Sequence, residues 1–147
     1  MGAGDVVDAL QTIHGAVTGV TTAPTAMPAA LNPGDLPMTL TYPGPAEHIE
    51  LSFHHQGTER IYLVWLYVKP IGQGEGVDEG YQKCLPFLQR FRDAYAENRE
   101  ATANWKKLRL IADSGVELLT LRQAPTGELY WGIIFQVQIT HYVDDVA

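Results

Sequence analysis

At 147 residues and 16.2 kDa, with 46% hydrophobic and 18% charged residues, the chain has the length and composition of one globular domain spanning 1–147, and disorder is excluded. The net charge of -7 argues against generic duplex binding, because such binding depends on Lys and Arg neutralising phosphates. Cys84 is the single cysteine, so an intramolecular disulfide is excluded, and we expect a small, buried apolar residue there.

The sequence has neither the pattern of a secretory signal nor that of a membrane-spanning helix. The opening "MGAGDVVDAL" carries Asp5 and Asp8 and has no basic region, unlike a secretory signal. The longest apolar run, Ile61 to Val68, is far shorter than the roughly 20 residues of a membrane helix. The sequence therefore predicts a soluble chain with no membrane partner.

The first predicted element is a short amphipathic helix after Asp5, which we take as its N-cap, with Gly19 where the helix would stop. Its apolar residues recur at helical spacing: Val6, Leu10, Ile13 and Val17. From Thr21 to Pro45 six prolines forbid a continuous helix and most ladder pairing, and only Met38, Leu40 and Tyr42 alternate like a strand. We therefore predict an extended arm over 21–45.

A hairpin is predicted next. Ile49, Leu51 and Phe53 alternate, "HHQGTER" is interpreted as the turn, and the apolar run "IYLVWLYV" predicts a buried second strand. A glycine-rich connector at 70–77 then leads into the longest predicted helix, which ends near Asn98 and has Pro86 as a kink or late start. Its predicted core face consists of Val77, Tyr81, Cys84, Leu88, Phe91 and Tyr95.

The remaining residues predict strands. Leu108 to Ala112 and Val116 to Arg122 are separated by a turn at Ser114, and "APTG" is expected to reverse the chain. The last segment alternates over an unusual length and should bend at Gly132 or project past its sheet. Its core-facing residues are Leu129, Trp131, Ile133, Phe135, Val137, Ile139 and Val143. The predicted fold is a two-layer α+β domain, with the main helix packed on one face of a mostly antiparallel sheet.

The glycine loop from Gly72 to Gly76 has the strand–loop–helix order of a phosphate cradle. Neither a Walker motif nor G-x-G-x-x-G is present, since Val77 follows Gly76. Asp78 and Glu79 place negative charge at the helix start, which opposes a phosphate. The pattern favours a flexible connector.

No pattern indicates catalysis, a cofactor or a metal. His54 and His55 are adjacent and would point to opposite faces of a strand, and the other histidines are far away in sequence. Glu47 and Glu50 are conceivable as a carboxylate pair, but a solvated strand entry is the simpler interpretation. The single basic and aromatic cluster, "WKKLRL" from Trp105, favours a solvated rim over an acidic-partner or nucleic-acid contact. We therefore predict no enzyme, with no catalytic, cofactor-binding or metal residues.

The order of these segments resembles the tail-terminator and neck proteins of long-tailed bacteriophages. The likeness covers almost the whole chain and rests on order, size and texture. The segments are "DVVDALQTIHGAV", the arm segment "LNPGDLPMTLTYPGP", "RIYLVWLYV", "EGYQKCLPFLQRFRDAYAEN" and "LLTLRQAPTGELYWGIIFQVQITHYV".

The resemblance implies a structural virion protein of the tail or neck, assembled in the host cytoplasm. Its subunits would form a ring, usually a hexamer, that caps the tail tube and joins it to the head-completion (connector) protein, with DNA only as passing cargo. In this interpretation the arm over 21–45 drapes over a neighbouring subunit, and the final strand extends an intersubunit sheet by edge pairing. The alternatives are another neck component, or a small ligand-binding domain walled by Trp65, Tyr67 and Trp131.

Overall fold

In the described part of the chain, five strands form one antiparallel sheet with the main helix packed on one face, as the sequence predicted; the N-terminal helix packs on the same face. The computed structural model describes residues 3–28, 31–52, 55–71, 77–99, 105–122 and 124–143. The elements in chain order are α1 (Ala3–Gly15), β1 (Met38–Ser52), β2 (His55–Pro70), α2 (Val77–Glu97), β3 (Lys107–Asp113), β4 (Glu117–Leu121) and β5 (Ala124–Val143).

The last strand is the centre of the sheet. The strand order is β1–β2–β5–β3, and β4 pairs with the same edge of β5 as β3 does. Residues 130–143 of β5 pair with β2, ending at Val143 opposite Gln56. Residues 130–140 of β5 have strand partners on both edges, so this part of the strand neither projects past its sheet nor offers an edge to a neighbouring subunit. The outer strands of the described sheet are β1 on one side and β3 with β4 on the other.

Strand β1 begins inside the predicted arm. Pro43 and Pro45 lie within it, and the pairing with β2 skips from Pro43 to Ala46. An edge strand tolerates prolines because one side of its backbone needs no partner. The hairpin turn is also shorter than predicted: Ser52 pairs with His55, so most of "HHQGTER" lies in β2.

The described part of the arm folds back on its own domain. The Thr21 amide donates to the Pro37 carbonyl at 2.8 Å, and the Thr39 amide donates to the Thr22 carbonyl at 3.1 Å. The Thr22 hydroxyl donates to the Asp35 carbonyl at 2.8 Å. Proline spacing did not reveal these backbone bonds, which hold the segment before β1 against its own strand. The described part of the arm is thus fastened to its own domain, and a drape over a neighbouring subunit stays a prediction.

Both helices pack on the same sheet face and form the main core. Helix α1 begins at Ala3, so Asp5 lies in its first turn and is not the N-cap. Helix α2 runs through Pro86 and ends at Glu97. Tyr81 was predicted to face the core, but it is 42% exposed. The buried stripe of α2 is instead Gly80, Cys84, Phe87, Phe91 and Tyr95. On β5, Ile133, Phe135, Val137 and Ile139 are wholly buried against it, as predicted.

The segment at Ser114 is a bulge and not a hairpin turn. Strands β3 and β4 run in the same direction along β5, and Ser114 bridges the gap between them. Its amide donates to the Ile134 carbonyl at 2.9 Å, and its hydroxyl accepts the Ile134 N–H at 2.9 Å. The Asp113 carboxylate accepts the Gly115 N–H at 2.8 Å, where Gly115 has a φ of 68°. A side chain thus replaces one ladder partner, which a sequence pattern does not distinguish from a turn.

The chain reversal between β4 and β5 comes earlier than predicted. Leu121 pairs with Ala124, so the chain has already reversed where "APTG" begins. The next pair on this ladder is Thr120 with Leu129. The residues between Ala124 and Leu129 therefore have no counterpart on β4.

Candidate assembly surface

The helices leave the opposite face of the sheet uncovered by any described helix. We call it the helix-free face. A second apolar cluster covers one half of it, in which Leu31, Met38, Leu40, Tyr67, Leu119, Leu121 and Tyr130 are buried. The sequence did not predict this cluster, although Met38, Leu40 and Tyr42 alternate toward it.

Two half-buried aromatic side chains, Tyr42 and Trp65, pack against the second cluster. Trp65 lies edge-on to Tyr42, with ring centroids 5.9 Å apart. The guanidinium carbon of Arg122 stands 4.6 Å above the centre of the Tyr42 ring. Beneath them the Tyr67 hydroxyl donates to the Thr120 carbonyl at 3.0 Å. This half therefore offers a rigid aromatic surface with a cation beside it, a combination that is frequent in protein interfaces.

The other half of the helix-free face is polar. Gln136, Gln138 and Thr140 alternate with the core residues of β5 and are exposed or half-buried. Arg109 on β3 donates to the Gln138 side-chain oxygen at 3.3 Å. Lys107 lies on the same face two pairs further along the ladder. The helix-free face thus passes from aromatic to charged along the strands.

The three aromatic residues proposed as walls of a ligand pocket do not come together. Trp65 and Tyr67 lie on the helix-free face, with ring centroids 6.2 Å apart. Trp131 belongs to the helix-side core and lies directly against Gly80 of α2. The sheet itself separates them, because side chains of odd-numbered positions in β2 and β5 point to opposite faces here.

In the basic cluster "WKKLRL", the aromatic residue Trp105 is buried in the core and the basic residues are exposed. Trp105 is only 4% exposed, and its indole N–H donates to the Asn98 carbonyl at 3.0 Å. Lys106, Lys107 and Arg109 are exposed. A buried indole is not available to stack on a base, so the cluster supplies charge alone.

The glycine loop at 72–76 and His54 lie outside the described residues. Among residues that flank the loop in sequence, the ammonium groups of Lys69 and Lys83 lie 3.2 Å and 3.6 Å from the Glu79 carboxylate. Both lysines line a cavity of about 450 Å³ with Leu36, Pro37, Val68, Pro70 and Phe87. The hydrogen bond and charge of Lys69 lower the pKa of the Glu79 carboxyl. This carboxylate already sits where an anion would bind the two lysines.

The remaining candidate residues are dispersed. Among the described residues there is no group of three His, Cys, Asp or Glu side chains that would hold a metal. Glu47 lies opposite Glu59 on the neighbouring strand, and the side chain of Glu50 is outside the described set. Burial raises the pKa of the Cys84 thiol to about 11, as expected of a cysteine in the core.

A buried polar network joins the two helices to β1, and sequence reasoning missed it. The Gln11 side-chain amide donates to the carbonyls of Pro24 and Thr39 at 2.7 Å and 2.8 Å. Its oxygen therefore faces His14, 2.8 Å from Nδ1. Because this oxygen only accepts, Nδ1 carries the proton and Nε2 accepts the Tyr95 hydroxyl at 2.7 Å. The signal in the sequence was the helical spacing of Gln11 and His14 with Val7.

Burial keeps the network neutral. His14 is wholly buried, and desolvation lowers its pKa from 6.5 to about 3. Burial also raises the pKa of Tyr95 well above its usual value. Both rings lie buried on the helix side of the sheet. We therefore assign the network a structural role, tying the segment at Pro24 and both helices to the edge strand.

No helix within the described residues is long and apolar enough to cross a membrane. Comparison with protein-family models found no match, and neither did comparison with curated proteins.

Proposed function

We propose that this chain is a structural virion protein of a long-tailed bacteriophage: a tail terminator whose copies form a ring, a hexamer, that caps the tail tube and joins it to the head-completion protein. The order and texture of its segments resemble that family. The observation that carries the proposal is the one-sided architecture, with both helices on one face of the sheet. The opposite face and the two sheet edges remain for neighbours.

A ring needs two different surfaces on each subunit, one for the copy before it and one for the copy after it. The fold supplies them as the edge of β1 and the edge of β3 and β4, which lie on opposite sides of the sheet. The stacked neighbours above and below the ring need a further surface. The half-buried aromatic residues Tyr42 and Trp65, with Arg122 beside them, fit such a contact.

DNA passes through the channel of such a ring, so the channel wall must bind DNA only weakly. A net charge of -7 disfavours adhesion to phosphates. Replacing exposed acids with Lys in assembled particles is expected to slow DNA ejection where those acids face the channel. Unchanged ejection for every exposed acid would exclude this role of the charge.

The test of the proposed function is assembly of the purified chain, alone and mixed with tail-tube protein. Native mass spectrometry and negative-stain images are expected to reveal rings, or tubes capped at one end. Binding to the connector protein but not to tubes would place the chain elsewhere in the neck. Failure to assemble with tube and connector alike, at concentrations where tubes form, would refute the proposal.

A further inference from the structure

The sheet register places acidic and basic side chains at opposite ends of one row across the helix-free face. Glu47 on β1 lies opposite Glu59 on β2, which lies opposite Thr140 on β5, which lies opposite Lys107 on β3. Directly paired residues point to the same face. Ile139, next to Thr140, is wholly buried on the helix side, so this row lies on the other face.

The acidic end of the row is unfavourable within one subunit. Like charges directly opposite each other on neighbouring strands repel, and Glu47 and Glu59 are such a pair. Within the described part of the chain, neither carboxylate forms an ion pair or a hydrogen bond. A cation brought by another molecule would relieve this repulsion. We call Glu47 and Glu59 the acidic patch.

The opposite end of the row concentrates positive charge. Lys107 and Arg109 are exposed on β3, and we call them the basic patch. The Arg99 carbonyl accepts the Leu108 N–H at 2.9 Å, which holds Arg99 against the outer edge of β3. With Lys106, four of the ten Lys and Arg residues of the chain lie at this edge. An acidic protein thus keeps a large share of its few cations in one place.

We propose that the acidic patch of one copy docks on the basic patch of the next, and that this contact closes the ring. The inference rests on the proposed function and names the partner surface within it. A contact between two different patches is heterologous, and repeating it generates a ring where the rotation closes. Both patches lie on the helix-free face, so two facing copies could instead form both contacts at once across a two-fold axis, and a wild-type dimer in place of rings would overturn the inference. Pro43 and Pro45 precede the acidic half of β1, and residues 46–52 contain no proline that would keep a neighbour away.

Charge reversal tests the contact. One variant carries Glu47→Lys and Glu59→Lys, so both its patches are positive; the other carries Lys107→Glu and Arg109→Glu, so both are negative. Each variant alone is expected to stay monomeric under conditions where the wild type forms rings. An equimolar mixture is expected to restore rings in which the two variants alternate, with an even number of subunits by native mass spectrometry.

Matched controls separate the contact from net charge and from folding. Asp93→Lys with Glu97→Lys makes the same charge change as the acidic-patch variant on exposed positions of α2, and is expected to keep wild-type rings. Circular dichroism and thermal midpoints of all variants are expected to match a folded chain. A water-soluble carbodiimide, which joins carboxylates to amines in contact, is expected to link Glu47 or Glu59 to Lys107 between wild-type copies.

The outcomes are distinct. Reversed variants that still form homogeneous rings, or a mixture that stays monomeric, would overturn the inference. Rings that persist while tube capping is lost would assign the acidic patch to the tube and also overturn it. In both of these results wild-type rings on tubes would leave the proposed function standing. A wild type that forms no ring, alone or on tubes, would remove both.

Discussion

The hydroxyl of Tyr95 lies 2.7 Å from Nε2 of His14, although the two residues are 81 positions apart in the chain. The rings also meet edge-on, with centroids 5.7 Å apart. This contact fastens α1 to α2 inside the core. Every partner in the network is neutral, so its contribution to stability depends on complete hydrogen bonding and not on charge.

Removing the hydroxyl should leave His14 with an unsatisfied acceptor. We expect Tyr95→Phe to lower the free energy of unfolding by about 1–3 kcal/mol, the usual cost of orphaning a buried polar group. Urea denaturation measures the change. Tyr81→Phe, at a tyrosine that is 42% exposed on the same helix, is the control and should change stability little. Equal effects of the two substitutions would contradict the network.

Stability should fall in acid because of His14. Its pKa is about 3 in the folded protein and 6.5 in the unfolded chain, so between these values the unfolded state binds more protons. The contribution of His14 to stability is therefore complete above pH 6.5 and is lost as the pH falls toward 3, by about 1.4 kcal/mol per unit. Because carboxylates also titrate in this range, the measured quantity is the difference in slope between wild type and His14→Gln. His48→Gln, at an exposed position on β1, controls for loss of a histidine.

Gly80 in α2 should not tolerate a methyl group. Alanine normally stabilises a helix relative to glycine by about 0.5–1 kcal/mol. At Gly80, however, an added Cβ would overlap the indole of Trp131. We expect Gly80→Ala to destabilise the protein by about 1–3 kcal/mol, as overpacking does. Thermal unfolding measures this, and Trp131→Leu in the same chain should remove most of the added cost. Gly4→Ala in α1, where nothing lies within 4 Å, should be neutral or stabilising.

Cys84 should react slowly in the native state. The side chain is wholly buried, and burial raises the pKa of its thiol to about 11, so little thiolate exists near neutral pH. Modification by iodoacetamide should require unfolding and accelerate with urea in step with loss of helix signal. Rapid alkylation of the folded protein, compared with the denatured chain, would place the thiol elsewhere.

Much of the fold followed from periodicity. The alternation from Ile133 to Ile139 and the helical spacing of Cys84, Phe91 and Tyr95 identified the helix-side core, because burial on one face imposes those periods. Strand boundaries were less accurate. Prolines at 43 and 45 suggested an arm, yet an edge strand accommodates them, and edge position depends on pairing partners that lie far away in sequence.

The candidate site depended even more on distant residues. The pairing of Glu47 with Glu59, and of Thr140 with Lys107, is a matter of strand register, which no local pattern specifies. The placement of Trp131 behind the sheet and Trp65 in front of it has the same origin. The sequence did not predict the hydrogen bond between His14 and Tyr95 for a related reason: the two residues are 81 positions apart, and neither alone differs from an ordinary helix residue.

The central position of β5 has a consequence for synthesis. Strand β2 and strands β3 and β4 precede β5 in the chain but touch each other only through it. During synthesis the central strand of the sheet is therefore missing until β5 leaves the ribosome, and one edge of β2 stays unpaired until then. The complete sheet therefore forms only after β5 has been made, so an unfinished chain lacks the paired β3 and β4 edge that the proposed ring would use.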